Sequence, residues 1–201
     1  MGRSHVEPMQ QPTNYTCGPA ALKKALEVLS IRKPLESLIR LCKTSKNGTS
    51  TPNLINAATS LGCAVLTIEY ATLKHLVRAL KYSPHKIRAV MVSYLYDLDE
   101  QSRPHPDSGH WAVVASYQAS KNRIVLLDSS TAQRKSYAWA DFRARWKDYD
   151  WKRKRTGKRT RRFKLIRHWQ PQLMMILAKD SKHLPRFTIS TERLYVPGDR
   201  A

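Results

Sequence analysis

Cys17 is followed by Gly18-Pro19-Ala20-Ala21-Leu22, and Leu22, Ala25, Leu26 and Leu29 recur at the spacing of one helix face. Pro19 falls in the opening turn, where its missing N–H costs nothing. A thiol at a helix start sits at the partial positive end of the helix, which favours the thiolate. A thiolate performs acyl chemistry when a base, a group that orients the base and donors for an oxyanion converge on it. His110 follows Gly109 and opens the strand-like run HWAVVASY, so it supplies a base. Asp128 ends the next such run, Arg123 to Leu127, and can fix the imidazole tautomer if the two runs are adjacent antiparallel strands. Gln11, six residues ahead of Cys17, offers a side-chain amide for the oxyanion, with Gln10 as a competing register. Gly18 lets a substrate approach the backbone closely.

The stretches Gln11-Pro-Thr-Asn-Tyr-Thr-Cys17-Gly18-Pro19-Ala20-Ala21-Leu22, Gly109-His110-Trp111-Ala112-Val113-Val114 and Leu127-Asp128 resemble the bacteriocin-leader-processing cysteine peptidases and their stand-alone relatives. The resemblance covers roughly residues 6 to 148 and the apolar run 173 to 178. It implies a papain-like α+β fold. It also implies a Cys17–His110–Asp128 triad with Gln11 at the oxyanion hole, no cofactor or metal, and a peptide or protein substrate with small residues before the cleaved bond. Thr16 and Ser129 stand where that family often has Asp and Pro. Hydrolysis through a thioester is the reaction expected, and acyl transfer to an amine would use the same groups. The alternative is a papain-like binding module with little or no catalysis. His105 and His110 make a poor zinc pair, because Pro106 lies between them and no cysteine accompanies them.

These residues need elements to hold them. Helices are expected over Thr16 to Leu29, after Pro34, and from Thr51, as cap, to Gly62. Ala64 to Ile68 reads as a strand, and Thr72 caps a further helix through Leu80. Ala89 to Leu95, His110 to Tyr117, Arg123 to Leu127 and Leu173 to Ala178 read as strands, with a short helix marked by Trp139, Phe142 and Trp146. Helices first and a mostly antiparallel sheet afterwards is an α+β order. The expected organisation is one domain over 1–179 with an insertion at 151–168, and a polar arm or tail over 180–201.

Hydrophobic residues make up 41% of the 201, enough for a core. No apolar run approaches the roughly 18 residues a membrane span needs, and no signal peptide opens the chain, so a cytoplasmic location is expected. Three cysteines without a CxxC pair argue against a zinc ribbon or a disulfide framework, and Cys42 and Cys63 fall in apolar patterns that suit a core. The net charge of +21 is the anomaly. Ten cations, Lys152, Arg153, Lys154, Arg155, Lys158, Arg159, Arg161, Arg162, Lys164 and Arg167, occur with no acid among them. The run reads either as a solvated charged hairpin or disordered loop, or as a contact for nucleic acid or another polyanion, with Trp151, Phe163 and Trp169 placed to stack on bases. The sequence does not set an oligomeric state.

Overall fold

The computed structural model describes residues 6–81, 83, 85, 87–156 and 163–199. Three helices come first: α1 (Cys17–Val28), α2 (Leu35–Leu41) and α3 (Thr51–Ser60). They are followed by β1 (Ala64–Ile68), α4 (Leu73–Leu80), β2 (Arg88–Leu95), β3 (Gly109–Gln118), β4 (Arg123–Asp128), β5 (Gln133–Ala138) and α5 (Trp139–Arg145). The chain continues through β6 (Lys147–Arg155), β7 (Phe163–Pro171), β8 (Met174–Ala178) and β9 (Arg193–Tyr195). Seven strands form one sheet in the order β5-β4-β3-β2-β8-β1-β9, with every neighbouring pair antiparallel. Strands β6 and β7 form a separate two-stranded ribbon. The α+β architecture expected from the sequence is the one observed.

Both faces of the sheet are covered, which explains why β1, β2 and β8 read as near-continuous apolar runs. On one face Leu22, Ala25 and Leu26 of α1 pack with Leu38, Leu54 and Ala58 against Trp111, Val113 and Leu127. On the other, Leu76 of α4 and Phe142 of α5, with Trp146, pack against Tyr94, Ala112, Val114, Ile124 and Leu126. Trp146 also donates its indole N–H to the Leu173 carbonyl at 2.9 Å, so the buried ring keeps its polar edge paired. Cys42 and Cys63 lie in the core as expected, their thiols pushed up to about 12 and about 11 by burial.

Three local features differ from the sequence expectation. The first turn of α3 is held by a distant carboxylate, not by Thr51 as cap. The Thr51 N–H donates to Asp150 at 3.0 Å and its hydroxyl to Gln170 at 2.9 Å, so α3 is tied to β6 and β7. Strand β5, too polar to read as a strand, forms because its backbone completes the β4 edge. The segment after Asp180 returns as β9 on the β1 edge, with Phe187 buried under α4 and paired edge-on with His75.

Candidate active site

The β3–β4 register places Val113 opposite Leu127. Continuing it one rung sets Asp128 across from Ala112, and His110 points to the same face two residues earlier, a diagonal neighbour within side-chain reach. The side chains meet: His110 Nε2 lies 3.0 Å from Asp128 Oδ1, with both residues buried. Asp128 accepts three further hydrogen bonds, from Thr131 Oγ1 at 2.6 Å, Tyr96 OH at 3.2 Å and the Ser130 N–H at 3.3 Å. Those donors and the His110 interaction outweigh the cost of burial and hold its carboxyl well below the usual carboxylate range.

With Nε2–H directed at a carboxylate, Nδ1 is the nitrogen left for the thiol. Helix α1 lies on the opposite sheet face, and its first residue, Cys17, lies near enough to His110 where β3 begins to act on the ring. Burial alone would pull the imidazole down. The hydrogen bonds to Asp128 and Cys17, and their charges, instead carry it up to about 9. Tyr94 packs edge-on against the ring and Tyr96 packs tilted against it, at 5.7 and 4.9 Å between centroids, which leaves the imidazole little room to rotate.

Gln11 is tied to the residue that follows Asp128. Its N–H donates to the Ser129 carbonyl at 2.8 Å, Ser129 Oγ donates to its Oε1 at 2.7 Å, and its Nε2 donates to the Thr13 carbonyl at 2.8 Å. This orients the amide and leaves one Nε2–H uncommitted. Gln10 instead donates to the Ser130 carbonyl and is exposed, whereas Gln11 is buried. The helpers Tyr96, Thr131 and Ser129 were not picked out from the sequence. Ser129 and Thr131 are ordinary turn residues after a strand, and Tyr96 gives no sign that its hydroxyl faces Asp128.

Cys17 opens on a cleft of 510 Å³. The segment from Lys43 to Thr51 forms one wall, and Tyr149, Trp151 and Leu165 of the ribbon form the other. Asp148 lies on its floor against Gly109, where a side chain at 109 would collide with the carboxylate. Burial, with the nearby Asp150 charge, pushes the Asp148 carboxyl up to about 7, against a hydrogen bond from the Tyr149 N–H at 2.7 Å. Among the described residues no cluster of three or more His, Cys, Asp or Glu could hold a metal ion. The arrangement supplies a thiol, a base, a fixed partner for the base and an amide N–H, the parts that acyl chemistry at a carbonyl requires.

Of the basic residues, Lys152, Arg153, Lys154, Arg155, Lys164 and Arg167 lie on the ribbon, while Lys158, Arg159, Arg161 and Arg162 lie outside the described residues. No helix among the described residues is long and apolar enough to cross a membrane.

The chain is similar in fold to the peptidase domain of Streptococcus ComA, a bi-functional ABC transporter involved in a quorum sensing pathway. The TM-score is 0.60 at 20% identity, over 87% of this chain and 98% of that one. A double glycine motif protease from an AMS/PCAT transporter, solved in complex with the leader peptide, aligns with TM-score 0.56 at 16% identity, over 88% and 93% of the two chains. The peptidase domain of Streptococcus mutans ComA aligns with TM-score 0.50 at 19% identity, over 86% and 98%. No curated protein matches the chain. The sequence pattern of the peptidase C39 family matches residues 5–150, a span holding Cys17, His110 and Asp128 and most of the sheet, and the chain belongs to that family.

Proposed function

We propose that the chain hydrolyses a peptide bond through a thioester on Cys17. The observation that carries this reading is the buried chain of contacts from Cys17 to His110 to Asp128 at the edge of the cleft. His110 takes the proton from Cys17, and the thiolate attacks the scissile carbonyl. The free N–H of Gln11 and the Cys17 backbone N–H receive the oxyanion. Collapse expels the amine, which takes the proton from His110, and the acyl group remains as a thioester. Water then gives a proton to His110 and attacks the thioester, releasing the acid and the Cys17 thiol. Asp128 keeps the ring in one tautomer throughout and stabilises its cation.

Family membership supports a peptide substrate, and the similar protease solved with a leader peptide supports one ending in small residues such as a glycine pair before the cleaved bond. The test is cleavage of fluorogenic peptides carrying Gly-Gly before the reporter, with wild type, Cys17→Ala and His110→Ala, alongside iodoacetamide labelling mapped by mass. Both substitutions should abolish turnover, and His110→Ala should slow labelling of Cys17 near neutral pH. Full hydrolysis by Cys17→Ala would sink the proposal. Added hydroxylamine appearing in the product without release of free acid would replace hydrolysis by acyl transfer.

A further inference from the structure

The ribbon β6–β7, which lines the cleft through Tyr149, Trp151 and Leu165, carries a face whose composition the chemistry at Cys17 does not account for. Alternation along β6 puts Tyr149, Trp151, Arg153 and Arg155 on one side. Their cross-strand partners are Trp169, Arg167, Leu165 and Phe163, so all eight share that face. It holds four aromatic rings, three arginines and one leucine, and no acid. The two acids of β6, Asp148 and Asp150, project from the opposite face, where Asp150 and Gln170 anchor the ribbon to α3. Asp107 anchors it from the side, accepting from Tyr149 OH at 2.8 Å and Arg167 Nη2 at 2.5 Å.

What that anchored face leaves in solvent is unusual. Trp151, Phe163, Leu165 and Trp169 are 44%, 49%, 60% and 41% exposed, on a surface where single large apolar residues would be ordinary but a contiguous group is not. Guanidinium groups already lie over the rings, Arg167 at 4.8 Å from Tyr149 and 5.6 Å from Trp151, and Arg153 at 5.4 Å from Phe163. The reverse face adds Lys152, Lys154 and Lys164, so the ribbon is cationic on both sides. A partner that only supplied negative charge would satisfy the arginines and leave the rings in water. Planar bases on an anionic backbone satisfy both, since any base can stack on an aromatic ring while phosphates meet the cations.

We infer that this face of the ribbon binds single-stranded nucleic acid, with Trp151, Phe163 and Trp169 as stacking platforms and Arg153, Arg155 and Arg167 as phosphate contacts. The ribbon also forms one wall of the cleft, so a bound strand lies beside Cys17, and substrates held on the same nucleic acid are presented to the site.

The chain's high positive charge would attract any polyanion, so the aromatic residues decide the test. Fluorescence anisotropy of labelled 20-nucleotide oligothymidylate and oligouridylate is titrated with the full chain at 50 to 200 mM salt. A duplex of equal length and a polyglutamate peptide are run beside them. Expected are binding that weakens steeply with salt, quenching of tryptophan emission, and preference for the single strands over the duplex and polyglutamate. Trp151→Ala and Phe163→Ala should each weaken single-strand binding by about 5- to 150-fold. Arg153→Glu with Arg155→Glu, at exposed positions that leave the core untouched, should flatten the salt dependence, and circular dichroism confirms that each variant folds. Equal binding of polyglutamate or duplex, aromatic variants that bind like wild type, or no binding at 50 mM salt overturns the inference.

Discussion

Replacing Asp128 with Asn separates the charge of the orienting residue from its geometry. Oδ1 receives two N–H groups, from His110 and Ser130, whereas Oδ2 receives only the hydroxyls of Thr131 and Tyr96. Hydroxyls can reverse and accept, but backbone and ring N–H donors cannot. The Asn amide therefore has one satisfactory orientation, oxygen toward His110 and nitrogen toward the hydroxyls, and the imidazole keeps its tautomer. What is lost is charge. Raising His110 from 6.5 to about 9 corresponds to roughly 3 kcal/mol in favour of the imidazolium, shared between Asp128 and Cys17. Removing the Asp128 share should cost kcat/KM between about 10- and 200-fold. The alkaline limb of the pH profile should move down from near 9. Stability should follow the same sign. Because the folded value of His110 lies above its unfolded one, its contribution is complete below about 6.5 and is lost as pH rises through about 9. The wild-type advantage over Asp128→Asn in denaturant midpoint should thus be large near pH 6 and shrink toward pH 10. The assays are kcat/KM and iodoacetamide labelling of Cys17 from pH 5 to 10, with urea melts at the two extremes. An unmoved alkaline limb refutes the electrostatic reasoning, and a loss near 10⁴-fold, the scale of a wrong tautomer, refutes the geometric one.

Two further outcomes follow from the neighbouring contacts. Ser129→Ala removes the 2.7 Å bond that orients the Gln11 amide, so kcat should fall about 2- to 10-fold with KM little changed. Iodoacetamide labelling of Cys17 should stay at the wild-type rate, because no oxyanion forms in that reaction; an equal fall in both would show that Ser129 supports the whole site. Gly109→Ala sets a methyl 2.9 Å from Asp148 Cγ and Oδ2, and should destabilise by about 1 to 3 kcal/mol while displacing the start of β3. Adding Asp148→Ala should recover most of the loss in thermal midpoint, and strict additivity of the two changes would exclude the clash as the cause.

Much of the site could be read from residue types and spacing because its elements are local. The helix starting at Cys17 is specified by apolar periodicity and by Pro19, and the strand after Gly109 by its β-branched and aromatic run. The six-residue separation of Gln11 and Cys17 singles out Gln11 only through the family resemblance, while the organisation of helices before an antiparallel sheet follows from the order of those patterns. What sequence leaves open is set by pairing between distant segments. The β3–β4 register makes His110 and Asp128 diagonal neighbours on one face, and a slip of one residue would have parted them. Ser129 is 118 residues from Gln11, and Asp150 is 99 from the helix start it caps, so neither role leaves a local trace. Alternation alone could not reveal β5, whose residues are polar and whose strand depends on the β4 edge, and a charged hairpin read from the basic run gave no sign of Asp107 and Asp150 as its anchors. The sequence by itself determined the family, the α+β order and which reactive groups stand at its helix and strand starts, because residue types and helix periods are local properties. Only the tertiary structure decided how those groups meet, because register, caps and burial are properties of segments far apart in the chain.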